Sequence, residues 1–215
     1  MHWVDRGPEP AGLDTVREEH TPSWIEHYRE DVGPVPTDDK WGDFRDDIVE
    51  SFRGLCAYCE VTARGEVDHF RPKSKFPELV YAWSNLVFAC HDCNMLKRNK
   101  WPGRGYVDPC VKTQPARPEI FFNFDLLTGE ILVKSGLSPI RHSKAADMIK
   151  DLRLNEFHHL RTRTTWIRVI GESMPPADGP NPSPEDFIAL VTDRGTQFSS
   201  IARQFAIELG YTFVE

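Results

Sequence analysis

Two groups of side chains in this 215-residue sequence have the types and spacing to do chemistry. The first is a set of cysteines, with Cys56 and Cys59 forming one Cys-x-x-Cys pair and Cys90 and Cys93 a second. Two such pairs supply four thiolates for a tetrahedral zinc site, closed to water and therefore structural. Unligated buried thiols and a redox pair are the alternatives, although neither pair lies in a thioredoxin-like βαβ context. Cys110 is left over and reads as an ordinary buried thiol. The second group is Asp68-His69 within "GEVDHFRPKSKF", residues 65–76, which runs on into Arg71, Lys73 and Lys75. Hydrolysis of a phosphodiester needs a nucleophilic water, and an imidazole is suited to taking its proton. It also needs positive charge on the phosphoryl oxygens, which a divalent ion supplies.

The charge distribution agrees with an anionic substrate. Net charge is −7, yet it is uneven: residues 1–60 carry 15 Asp and Glu against 6 Lys and Arg. Residues 69–104 reverse the sign, with Arg71, Lys73, Lys75, Lys97, Arg98, Lys100 and Arg104 against Glu78 and Asp92. A basic island thus surrounds the Asp-His pair; a solvated charged face is the plainer reading of the same residues. A hydrophobic content of 40% and six Trp indicate a folded chain. No apolar run suits a bilayer and no secretory signal is visible, so the expected location is the cytoplasm, where paired cysteines indicate zinc more often than disulfides.

The elements that must position these groups follow from pattern. Residues 1–20 read as an extended arm, and Thr21 with Pro22 opens a short helix reaching about residue 31. Phe44, Ile48 and Phe52 recur every four residues, an amphipathic helix ended by Gly54. Val67 belongs to a strand, residues 85–90 to a buried strand, and a helix starts near residue 92 and runs to about 100. Residues 120–136 read as a β-hairpin turning near Thr128-Gly129. Helices are expected at 143–152, 155–170, 184–193 and 195–209, with Ser183 capping the third and Pro184 at its first position. Three regions result: residues 1–54, 55–110 and 111–215.

Taken together, "CAYCE", "VDHFRPKS", "WSNLVFAC" and "CHDCNMLK" resemble HNH endonucleases with the zinc-bound ββα-metal fold. The fold class this implies is α+β, an HNH nuclease core stapled by a four-cysteine zinc site, with flanking helices and a hairpin. Weaker strings, "WVDRGPEPAGL" and "FFNFDLLTGEI", resemble the small HNH proteins of the Septu anti-phage system (PtuB-like), which also serve as effectors in some retrons. By this resemblance His69 would be the general base, and Asp68 a ligand of the catalytic divalent ion. Asn85 would hold the loop and orient His69, and Asn94 would be the second ligand, standing where the motif has His. An amide oxygen suits Mg2+ or Mn2+, hard ions that favour oxygen donors. Arg71, Lys73, Lys97 and Lys100 are candidate nucleic-acid contacts.

Neighbouring strand residues face opposite ways, so Asp68 and His69 would reach one phosphate only if a bend turns them. Each residue read singly is ordinary: a surface pair, a turn asparagine, a solvated lysine. Their joint spacing raises the expectation. His20, His27, His142, His158 and His159 have no partner pattern. The resemblance implies a DNA-cutting effector acting with an ABC-type, PtuA-like ATPase. RNA or tRNA as substrate stays open, as does a non-catalytic zinc module that binds nucleic acid or protein.

Overall fold

A computed structural model describes residues 1, 3–37, 39–113, 116–173 and 183–211. At its centre lie two short antiparallel strands, β1 (Glu66–His69) and β2 (Leu86–Ala89), followed by helix α3 (His91–Lys97). Their register pairs Glu66 with Ala89, Val67 with Phe88, Asp68 with Val87 and His69 with Leu86. All four residues of β2 are buried, as its uninterrupted apolar run requires of a strand covered on both faces. Gly65 leads into β1 where a Cβ would stand 2.2 Å from the Ala89 carbonyl oxygen, so only glycine lets the chain approach β2 this closely.

Before this unit come α1 (Leu13–Glu30), a 3-10 turn (Lys40–Phe44) and α2 (Arg45–Ser51). The first of these corrects the reading of an extended arm over residues 1–20. α1 starts at Leu13 and runs straight through Pro22, which stands inside the helix rather than at its first position. An interior proline costs about 3 kcal/mol. Leu13 and Trp24, on either side of it, are wholly buried. Full burial of each such side chain contributes ~1.5–3 kcal/mol, which offsets that penalty. Packing overrides the local stop signal. In α2 and its flanks, Ile48 and Phe52 are buried and Phe44 partly so, the face expected from their spacing.

After it come β3 (Phe122–Phe124) and β4 (Ile131–Val133), an antiparallel hairpin, then α4 (Pro139–Asp151), α5 (Phe157–Glu172), α6 (Pro184–Thr192) and α7 (Ser199–Glu208). α4 begins earlier than its periodicity suggests, and Pro139 takes its first position. α7 begins later, because Phe198 adopts a left-handed conformation that interrupts the helix before Ser199. Ser183 and Asp186 form a capping box at α6. Most of the linker expected between α5 and α6, residues 174–182, lies outside the described residues.

One hydrophobic core draws on every part of the chain: Leu13, Trp24 and Ile48 from the first third, Phe88 and Tyr106 from the middle, Leu152 and Ile201 from the last. A smaller cluster joins Ile170, Phe187, Val191 and Ala206. Among the described residues no helix is long and apolar enough to cross a membrane.

α5 holds the hairpin through Arg163, a buried cation at 1% exposure. Its Nε donates to the Gly129 carbonyl at 2.6 Å, and Nη2 donates to the Leu154 carbonyl and to Asn155 Oδ1. Gly129 has φ +73°, and a Cβ there would meet Thr164 and Leu160 of α5 at 3.0 and 3.2 Å. The turn therefore needs glycine twice over, for its conformation and for its approach to the helix. Asn155 in turn grips β4, accepting from Ile131 N–H at 2.8 Å and donating to its carbonyl at 2.9 Å. Replacing Arg163 by Met leaves these buried acceptors without their donor, and each such loss costs ~1–3 kcal/mol. R163M should therefore lower unfolding free energy in urea by about 3 kcal/mol or more; a loss below about 1 kcal/mol would show that the guanidinium is not the anchor.

Candidate active site

The two cysteine pairs meet. Sγ atoms of Cys56, Cys59, Cys90 and Cys93 all lie within 4.8 Å of one another, and those of Cys59 and Cys90 are 3.7 Å apart. Four thiolates at the usual Zn–S length of about 2.3 Å, arranged tetrahedrally, stand roughly 3.8 Å from each other, close to the Cys59–Cys90 separation, so the cluster is of the size that zinc takes. Local backbone geometry explains the convergence. Leu55 and Thr62 bridge across the first turn, and the Ala57 N–H donates to the Phe88 carbonyl at 2.8 Å, tying that turn to β2. Cys90 ends β2 and caps α3, its thiol accepting from the Cys93 N–H at 3.4 Å. Hydrogen bonding with Cys56 is the foremost cause that pushes the Cys59 and Cys93 thiols well up and pulls the Cys90 thiol down.

β1 presents two different faces. Glu66 and Asp68, two residues apart, turn to α3; His69 turns the other way. α3 answers with a stripe spaced by three. His91 Nδ1 is 2.7 Å from Glu66 Oε1, Asn94 Nδ2 donates to Glu66 Oε2 at 2.5 Å, and Lys97 Nζ reaches both Asp68 oxygens at 3.0 Å. Tyr58 donates to Asp68 Oδ2 at 2.5 Å, and Lys97 also donates to the His69 carbonyl at 2.6 Å. Burial is the largest influence on both members of the ion pair, raising the Asp68 pKa and lowering that of Lys97. Each charge persists there because of the other.

Lys97 is therefore not where its sequence position suggests. Read as a phosphate contact, it is fully buried, its three protons turned inward to Asp68 and the β1 backbone. The other three basic candidates differ among themselves. Arg71 is exposed beside the rings of Phe76 and Trp101. Lys73 is half-buried, its ammonium 4.3 and 4.2 Å from the ring centres of Trp24 and Trp41. Lys100 is exposed and donates to the Asp151 carbonyl at the end of α4.

His69 packs edge-on against Trp41, ring centres 4.8 Å apart, with only 7% of its surface exposed. Its Nε2 lies 2.8 Å from the Val80 carbonyl. A carbonyl only accepts, so Nε2 carries the proton and Nδ1 keeps its lone pair, without a partner among the described residues. Burial, then the charge of Lys73, holds the ring neutral, its pKa down at about 3. Asn85 closes the intervening loop on itself. Its Oδ1 accepts from the Arg71 N–H at 2.8 Å, and Nδ2 donates to the Arg71 and Leu79 carbonyls at 3.1 Å. The same residue's carbonyl accepts from the Phe70 N–H, next to His69.

Sequence reasoning missed Tyr58, Glu66 and Trp41, and misjudged Lys97. The two-residue spacing of Glu66 and Asp68 and the three-residue spacing of His91, Asn94 and Lys97 carried that signal. For a hard divalent ion, the Asp68 carboxylate and the Asn94 amide oxygen are donors of the right chemistry, although both Asp68 oxygens are held by Lys97 and Oδ2 also by Tyr58, contacts that an ion would have to replace.

Comparison with known proteins bears on the same segment. Residues 56–100 match the family model of the HNH endonucleases. Over 88 aligned residues the chain is 38% identical to the Septu protein PtuB of Bacillus thuringiensis, the alignment covering 37% of this chain. It spans only 33% of that protein's length. The chain carries an HNH endonuclease domain and resembles PtuB over part of its extent.

Breaking a buried ion pair from one side costs about 3–5 kcal/mol, because the survivor stays buried and uncompensated. Lys97→Met should accordingly destabilise strongly, and adding Asp68→Asn to it should restore much of the loss. Urea unfolding of both single variants and the double variant measures this; additive losses would mean that the two side chains are not coupled.

Proposed function

We propose that the HNH domain of residues 56–100 makes this chain a metal-dependent endonuclease hydrolysing phosphodiester bonds of nucleic acid, DNA foremost. In this reading it is the effector of an anti-phage defence system, acting in the cytoplasm with an ATPase partner. The observation that carries it is the pairing of His69 with Val80: Nε2 is committed to a carbonyl, which leaves Nδ1 as the basic atom next in sequence to Asp68. Resemblance to a Septu protein supports the defence setting, and the acidic first third offers a surface on which a partner could dock.

Asp68 and Asn94 would hold a Mg2+ or Mn2+ ion, which supplies positive charge to the phosphoryl oxygens and the leaving oxygen. His69 Nδ1 takes a proton from the attacking water; its neutral state keeps the lone pair available at physiological pH. Asn85 holds the loop of residues 71–85 so that the Val80 carbonyl stays beneath the ring. Arg71 and Lys75, both exposed, lie on the same loop and suit the phosphate backbone of either strand without reading its bases.

Removing a general base typically costs a factor of about 10²–10⁴ in rate. His69→Ala should lose at least that much cutting in Mg2+ or Mn2+, assayed with the ATPase partner present, while zinc content stays near that of the parent and the chain stays folded, with an unfolding midpoint lowered by the loss of the buried ring and its bond to Val80. Cutting at the parental rate would remove His69 as the base, and no cutting by the parent on DNA or RNA would defeat the enzyme reading.

A further inference from the structure

His69 and Lys73 meet at one side chain. Trp41 stands edge-on to the imidazole, ring centres 4.8 Å apart, and the Lys73 ammonium lies 4.2 Å from the centre of the same indole. A second indole, Trp24, is 4.3 Å from that ammonium. The two indole centres are only 5.6 Å apart, so both rings lie to one side of the nitrogen and leave its other side uncovered by them. Trp24 is wholly buried, Trp41 partly so, and Trp41 also packs against Tyr81, which makes this aromatic wall part of the core. The backbone of Lys73 is held as well. Asn85 grips both the N–H and the carbonyl of Arg71, and the Phe76 N–H donates to the Pro72 carbonyl at 2.9 Å, closing the turn that carries the lysine.

No carboxylate neutralises this cation. Among the described residues its partners are the two indoles, and Asp39 acts on it only from beyond ion-pair distance. Its charge is felt at His69, where it ranks second to burial among the influences on the imidazole. Arg71 and Lys75 on the same loop are exposed, whereas Lys73 between them is half-buried. Burial lowers the pKa of Lys73 and the Asp39 charge raises it, so the ammonium carries a desolvation penalty that the indole faces offset only in part. An anion on the uncovered side would complete its environment. The flexible stem is already ordered by the rings, so little freedom is lost when that anion arrives.

We propose that Lys73 is a catalytic residue of the nuclease, its ammonium meeting a non-bridging oxygen of the scissile phosphate beside His69 and stabilising the charge that grows there as water attacks. Arg71 and Lys75 then hold neighbouring phosphates, and only Lys73 acts on the reacting one. This deepens the nuclease reading and rests on it. The test is steady-state cutting of a DNA oligonucleotide by the full chain with its ATPase partner in Mg2+ or Mn2+. Lys73→Met keeps an apolar stem against the indoles and removes the charge; it should lower kcat by a factor of about 10²–10³ with KM little changed. Lys73→Arg should keep at least about tenfold more of kcat than Lys73→Met, and Lys75→Met should instead raise KM with kcat near the parent's. The loss in Lys73→Met should be as large at about pH 8 as at about pH 6, since a phosphate contact does not depend on the protonation of the imidazole. If Lys73→Met does not fold, Lys73→Gln is read by the same criteria. A parental kcat in the variant, a loss carried by KM alone, or a loss that fades at about pH 8 overturns the proposal and leaves the nuclease reading standing. A parent that cuts neither DNA nor RNA overturns both.

Discussion

Convergence of four sulfur atoms within 4.8 Å is the constraint on which the rest of the site depends. The first pair sits in a turn stitched to β2, and the second spans the junction where β2 ends and α3 begins. One ion bound by all four would therefore set the angle between strand and helix. The strands are only four residues each and α3 only seven. Elements so short are marginal alone, and metal binding of this kind contributes directly to folding.

With β1 and α3 held face to face, the alternation of the strand does the remaining work. Asp68 points to the helix and finds Lys97 and Tyr58, while His69 points away, to Val80 and Trp41. His69 and Asp68 are thus neighbours in sequence but occupy separate environments, one packed by aromatic rings and the other filled by an ion pair. Lys97 supplies the positive charge that the buried carboxylate needs. A divalent ion at Asp68 would meet that same need, which makes the lysine part of the site's electrostatics even though it is closed to solvent.

Much of this was legible in the residues. Paired cysteines announced the cluster, the apolar run 86–89 announced β2, and Ser183-Pro184 announced the start of α6. Strand periodicity also foretold that Asp68 and His69 would part. Other features depend on contacts distant in sequence, which local patterns do not encode. Pro22 signalled a helix start, but Leu13 and Trp24 are buried by the core and carry α1 through it. Lys97 looked like any basic residue at the end of a helix until β1 placed Asp68 beneath it. Trp41, on a turn 28 residues before His69, had no signal at all linking it to the imidazole.

X-ray absorption at the zinc edge of the purified, undenatured chain tests the central claim most directly. The account predicts one zinc per chain with a first shell of four sulfur atoms at about 2.3 Å. A zinc-free protein, or a shell made mainly of nitrogen and oxygen, would contradict it.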